Sequence, residues 1–315
     1  MAGASSWADR SLVRDGTFYP SRSLSAAQRL AHYASRLPLA EVTTTYRFPP
    51  TPEVTRRWVS ATPPGFTIDV RAWSLLSGAP TWPESLWPDL QGQVRPSRRG
   101  GAKLYRHRLP VQVVDECWER FRHALMPLSQ GGRLGAVIVC FPTWFSPRPA
   151  TWEELAALPA RLAGFRVAVE LNNARWFGGD TCEQTLGLLE ESGLCFVCHD
   201  GGGPAGSVVA ATADVAFVRF PGRARRWAKE VEAEGVEAEG VEAEGVEAEG
   251  HLLESEARRG PAPWSYRYSE AQLAAWVPAV RDLASGTSQV HLIMDNCWRT
   301  DAVDNASSLL ELLAV

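Results

Sequence analysis

Eight short apolar runs recur along this chain, and the stretches between them read as helix or loop. The runs are Ala2 to Ser6, Leu39 to Thr45, Phe66 to Val70, Gly135 to Phe141, Val167 to Leu171, Leu194 to His199, Val215 to Phe220 and Gln289 to Asp295. This alternation constrains the fold more than any other feature. Parallel strands need long crossovers, and helical crossovers cover a sheet. Eight repeats of the pattern fit a (β/α)8 TIM-type barrel better than an open sheet, and 315 residues suit one barrel domain over 1–315.

The helices announce themselves by their caps. Ser25 with Gln28 makes a capping box ahead of Leu30, Tyr33 and Leu37, and Thr51-Pro52 supplies a cap and a first-turn proline. Further helices are expected over Val113 to Leu125, from Thr151 with Glu153 and Glu154 in its first turn, and over Cys182 to Ser192, stopped by Gly193. The last two are expected over Glu270 to Ala284 and Ala302 to Leu313. Two irregular stretches interrupt the scheme. A long loop follows strand three, from Trp73 to Pro110. After strand seven, Val-Glu-Ala-Glu-Gly repeats four times over 231–250. Glycine every fifth residue opposes a helix by about 1 kcal/mol each, so a disordered surface insertion is expected there.

Composition narrows the classes. That repeat holds eight Glu and no basic residue, which leaves 32 basic against 28 acidic residues elsewhere, a balance of +4. This is too mild for the concentrated basic face of a nucleic-acid binder. No apolar run approaches the roughly 18 residues of a membrane span, and the N-terminus has no secretory pattern, so a cytoplasmic protein is expected. The six cysteines are scattered, which reads as free thiols. Cys195-Phe196-Val197-Cys198-His199 spells a covalent haem motif, but it lies within a strand whose side chains alternate between faces, so no haem or other cofactor is expected.

Polar residues inside the strands point to the chemistry. In Arg166 to Phe177, Ala168, Glu170 and Asn172 share one face of a strand, which places Glu170 inside the barrel near its mouth. Glu41 is placed similarly on strand two. Barrel active sites lie at the C-terminal strand ends, a rule that gathers Glu41, Asp69, Arg71, Glu170, Asn172, His199, Asp200, Arg219, Asp295 and Asn296. Glu170 and Glu41 are the expected catalytic carboxylates, and Arg71 and Arg219 the expected anion clamp. Arg219 with Gly222, Arg223, Arg225 and Arg226 after strand seven forms the expected phosphate site. Trp7, Trp73, Trp144, Trp176, Trp227 and Trp298 follow strands, so Trp7 and Trp176, with Asn172 and Asn296, are expected to help hold the substrate. For Asp69 and His199 a plain structural role is the first expectation, and two further readings compete with the catalytic one. The carboxylates and arginines could simply pair and lock the barrel, or Glu170, His199 and Asp295 could converge on a divalent metal.

Several short motifs run in order along nearly the whole chain. They are Ser5-Ser6-Trp7, Phe18-Tyr19-Pro20, Glu41-Val42 with Thr45-Tyr46, Phe141-Pro142, Val169-Glu170 with Trp176-Phe177, Val218-Arg219, Tyr266-Arg267-Tyr268-Ser269 and Asn296. In these the chain resembles the YecE-like family, also known as domain of unknown function 72, which implies a TIM-type barrel of unestablished activity. It departs from the family pattern at Cys140, Asn172-Asn173, Pro221 and Asp295, where the family carries Gln, Arg-His, His and Asn. The function expected is an enzyme of hydrolase or lyase type acting on a small anionic substrate, phosphorylated or sugar-like, at the barrel mouth. The alternatives are a ligand-binding or interaction protein without turnover, and a metal-dependent hydrolase or isomerase. Absence of a dinucleotide fingerprint argues against redox chemistry.

Overall fold

In a computed structural model, residues 1–94, 103–201, 208–223 and 265–314 are described. The repeat at 231–250 lies outside them, as do Arg225, Arg226 and Trp227. Eight parallel strands close into a barrel in chain order, with β8 pairing back onto β1. They are β1 (Ala2–Ala4), β2 (Leu39–Val42), β3 (Thr67–Arg71), β4 (Leu134–Phe141), β5 (Val167–Leu171), β6 (Cys195–His199), β7 (Val215–Phe220) and β8 (Gln289–Met294). The (β/α)8 expectation holds. Among the described residues, no helix is long and apolar enough to cross a membrane.

The period of two divides the strand residues between two cores. Leu39, Ala136, Ile138, Ala168, Val197 and Phe217 face inward and fill the barrel axis. Ala40, Val70, Val139, Val169, Val218 and Leu292 face outward under the helices, where the larger core lies. The helices are α1 (Arg10–Asp15), α2 (Ala26–Ala34), α3 (Pro52–Ala61), α4 (Pro88–Gln91), α5 (Val111–Gln130), α6 (Pro149–Arg161), α7 (Asp180–Glu191), α8 (Glu270–Ala274), α9 (Val277–Gly286) and α10 (Asp301–Ala314). The Ser25 capping box and the Thr51 cap form as the sequence implies.

Several boundaries differ from expectation, each for a local reason. Strand two stops at Val42, where Thr44–Tyr46 turns into a 3-10 helix and the Thr45 hydroxyl donates to the carbonyls of Val42 and Arg71. Helix α6 begins two residues early, with Pro149 at its first position, so that Thr151 is its third residue rather than its opening one. The helix expected over 270–284 is two. Pro278 has no amide hydrogen to continue α8, and α9 starts afresh at Val277. Helix α1 was not expected; Asp9 caps it through the amides of Ser11 and Leu12, and Gly16 ends it at φ 75°.

One register slip shapes the barrel interior. Pairing of β3 with β4 shifts between Ile68 and Val70. There Asp69 Oδ1 accepts the amide of Ala136 at 2.9 Å, doing the work of a ladder carbonyl. The other carboxylate oxygen lies 2.8 Å from His291 Nδ1, and both side chains are fully buried. Gly135 makes room for this arrangement, since a Cβ there would stand 2.3 Å from Asp69 Oδ1.

Candidate functional site

The inward residues at the C-terminal strand ends form a compact charged layer capping the apolar axis. Arg219 on β7 is its centre and is fully buried. Its Nε donates to Glu170 Oε2 at 2.8 Å, and its Nη1 and Nη2 donate to the two Glu41 oxygens at 2.7 and 3.1 Å. Nη1 also reaches Asp295 Oδ2 at 3.1 Å. Arg71, at the end of β3, donates through Nε to Glu41 Oε1 at 2.8 Å and approaches Asp295 Oδ2 at 3.5 Å. Ser5 donates from its hydroxyl to Asp295 Oδ1 and lies 3.2 Å from Cys297 Sγ. The Cys140 thiol donates to Glu170 Oε2 at 3.3 Å.

Three carboxylates thus face two guanidinium groups. Burial alone would raise the carboxyl groups, but the arginines win. Arg219 and Arg71 hold Glu41 below the ordinary carboxylate range, and Arg219, with smaller help from His199 and Arg71, brings Glu170 down to about 2. Burial, reinforced by the Glu170 charge, pushes the Cys140 thiol well up, so it remains a thiol rather than a nucleophilic thiolate. Tyr46, just past β2, borders the layer, its phenol pushed up to about 12 by burial first and then by Cys140.

His199, the last residue of β6, stands apart. It is 3% exposed, and among the described residues neither ring nitrogen has a hydrogen-bond partner. Its Nε2 lies 3.6 Å from Glu170 Oε1, just beyond hydrogen-bond reach. Burial drives its pKa below the usual imidazole value, against the pull of Glu170, which leaves a neutral base at neutral pH. Buried polar groups without partners are uncommon, and each calls for an explanation, a catalytic role among them.

The expected residues separate into those that meet and those that do not. Glu41, Arg71, Glu170 and Arg219 meet in the layer, with Asp295 and His199. Asn172 stands at its edge, donating to Phe141 O at 2.9 Å and tying β5 to β4. Trp176 does not reach the mouth. It is buried outside the sheet, stacked 5.5 Å from Phe145 and 4.8 Å edge-on from Trp152, with Nε1 donating to Phe145 O at 2.6 Å. Trp7 is buried against Trp58 at 5.8 Å. Asn296 is fully buried and donates to Tyr266 O at 2.7 Å and Asn305 Oδ1 at 2.9 Å, fastening β8 to α10. Trp7 and Trp176 pack, and Asn296 tethers through its amide nitrogen while its buried Oδ1 has no partner among the described residues.

The phosphate site expected after strand seven changes character too. Arg223 forms a two-pronged pair with Asp200 at 2.8 and 2.5 Å, and Trp276 Nε1 donates to the same carboxylate at 2.6 Å. Arg219 is committed to the layer, and Arg223 has its Nε and Nη2 taken up by Asp200. The metal reading meets a related obstacle. Arg219 sits between Glu170 and Asp295, where a cation would have to lie, and among the described residues no cluster of three ligating side chains forms. Ser5, Cys140 and Tyr46 were missed by sequence reasoning. Alternation from Gly3 to Ser5 and from Ile138 to Cys140 was the signal that could have found the first two.

A surface cavity of about 670 Å³ lies elsewhere, on the outer layer between α8 and α10, lined by Tyr268, Leu273, Asn305 and Leu312 among others. It contains no residue of the charged layer. Residues 224–264 lie outside the described residues.

Comparisons with known proteins agree with the barrel. A family model described as "Protein of unknown function DUF72" matches residues 1–315. The UPF0759 protein YunF of Bacillus subtilis (strain 168) is 24% identical over 319 aligned residues, covering 99% of this chain and 94% of that protein. A DUF72 family protein from Enterococcus faecalis V583 superposes with a TM-score of 0.70 at 21% identity, covering 100% of this chain and 95% of that one. Another from Thermotoga maritima MSB8 gives 0.69 at 22% identity, covering 100% and 98%. These likenesses speak for fold.

Proposed function

Because the chain belongs to the DUF72 family of proteins of unknown function, membership brings no reaction with it, and we propose one from the mouth itself: general acid–base catalysis of hydrolase or lyase type on a small metabolite. The observation that carries this reading is His199, a buried imidazole with two unpartnered nitrogens, 3.6 Å from Glu170. With Nε2–H turned to the carboxylate, Nδ1 keeps a free lone pair. It accepts a proton from water or a substrate hydroxyl, and Glu170, ionised to about pH 2, stabilises the imidazolium that results. Hydrogen bonds of this kind are often long before substrate binds.

Arg71 and Arg219 serve this reading as holders rather than as an anion clamp. Their charges are outnumbered by Glu41, Glu170 and Asp295, so the layer carries a net charge of about −1 with His199 neutral. Such a layer favours a neutral, hydroxyl-bearing reacting centre over a phosphate placed directly upon it. The second reading is a binding protein without turnover, favoured by how completely Arg219 is enclosed.

The two readings part on the variants Glu170→Gln and His199→Gln, assayed against a panel of metabolites and chromogenic esters, glycosides and phosphates. An acid–base enzyme loses about 10²- to 10⁴-fold in kcat with KM little changed, the range typical of such groups. Turnover that survives both substitutions sinks the acid–base assignment. Ligand binding without turnover in the parent protein decides for the second reading.

A further inference from the structure

With both mouth arginines neutralised, an anionic substrate needs a different handle. Two adjacent loops supply one. Arg47 follows the 3-10 turn after β2 and is exposed; its backbone amide donates to Thr44 O at 3.1 Å, and its side chain makes no hydrogen bond or ion pair among the described residues. Lys103 lies in the loop after β3, with its Nζ 3.1 Å above the ring of Trp82. A continuous set of hydrogen bonds holds the two loops together. Tyr46 O accepts from Ser74 N at 2.9 Å, Ser74 Oγ meets Thr81 Oγ1 at 2.9 Å, and Thr81 and Leu104 exchange backbone bonds at 2.9 and 2.7 Å. Arg47 and Lys103 are the chain neighbours of Tyr46 and Leu104, the two ends of that link.

Two cations held at the ends of one hydrogen-bonded link repel one another. The charged groups facing Lys103 are Arg47 and Glu84. Partial burial, then the Arg47 charge, push the Lys103 ammonium below its ordinary pKa, and Glu84 only partly offsets them. Neither cation forms an ion pair among the described residues. The arrangement is electrostatically incomplete, and an anion placed between the two would relieve it.

We propose that Arg47 and Lys103, with Trp82 as the platform under the ammonium, form a rim site for the phosphate or carboxylate group of the substrate whose reacting end lies at His199 and Glu170. The assignment of the reacting end rests on the acid–base reading above; the anion site does not. Lysine suits this task as a point charge on a flexible stem, and the aromatic face holds it without neutralising it.

The chain has only two lysines, Lys103 and Lys229, which gives a direct test. Reductive methylation with ¹³C-formaldehyde labels both ammonium groups and the terminal amine while preserving charge. The Lys103 signal is expected upfield, because its methyl groups lie over the Trp82 ring. Titration with inorganic phosphate should shift it saturably and raise its titration midpoint, leaving Lys229 still. Arg47→Gln should weaken that response at least about five-fold, the lower end of ordinary coupling between sites. No saturable shift, equal shifts at both lysines, or an unchanged response in the Arg47 variant each overturns the proposal. His199→Gln keeps the two readings distinct. It should leave phosphate binding at Lys103 intact, so failure of catalysis at His199 and failure of the rim site appear in different measurements.

Discussion

Arg219 shows what a single side chain can fix. Fully buried, it joins Glu170 and Glu41 from two other strands and Asp295 just past the end of β8. Replacing it with Met would strand buried carboxylates without a partner, and breaking a pair of this kind costs about 3–5 kcal/mol. Urea unfolding of Arg219→Met should show that loss as a lower midpoint with little change in slope. At His199 the expectation concerns rate. Since burial lowers its pKa below 6.5, the imidazole stays a base through the neutral range. The pH profile of kcat/KM should therefore fall only on the acid side of that value, and a midpoint above it would contradict the assignment. Much of this layer was legible residue by residue, because Glu41, Glu170 and Arg219 are charges in apolar strands. Their mutual bonding was not. Glu41 and Arg219 are 178 positions apart, and alternation gives the face a side chain takes without naming the group opposite.

At the scale of elements, β3 and β4 are joined by a side chain where the ladder slips. Asp69 satisfies both the Ala136 amide and His291, and it fits only because Gly135 lacks a Cβ. Gly135→Ala should therefore destabilise by about 1–3 kcal/mol, as overpacking in a filled core does, read from thermal or urea unfolding. Asp69→Ala should cost a similar amount, because an amide and an imidazole lose their acceptor inside the barrel. The sequence marked Asp69 as a mouth candidate. Its place one pleat below Arg71 on the same face, beside the register slip, agrees with the structural role that was the first expectation for it. Caps and strand cores were readable because they depend on neighbours within a few residues. Helix α1, the early start of α6 and the break before α9 were read less well, since tertiary docking and single prolines decided them.

For the whole molecule, the layer at the mouth sets a pH window. Glu170 titrates at about 2 when folded against 4.5 ordinarily, so its contribution to stability is complete above pH 4.5 and is lost as pH falls toward 2. His199 adds in the same direction. With its folded pKa lowered, the unfolded chain binds the proton more readily, and stability declines as pH drops below 6.5. Melting temperature should accordingly fall steadily on acidification from neutral pH. Glu170→Gln should flatten the portion below pH 4.5, and an unchanged slope in that variant would argue against the ion pairs described. The sequence by itself determined the barrel, because strand and helix periods are local and eight repeats of them close in one way. It also determined which strand faces carry charge. Only the tertiary structure decided that the arginines are spent on carboxylates, that Trp7, Trp176 and Asn296 lie buried outside the charged layer, and that His199 has no partner among the described residues. Those outcomes depend on distances between strands far apart in the chain, which no local pattern encodes.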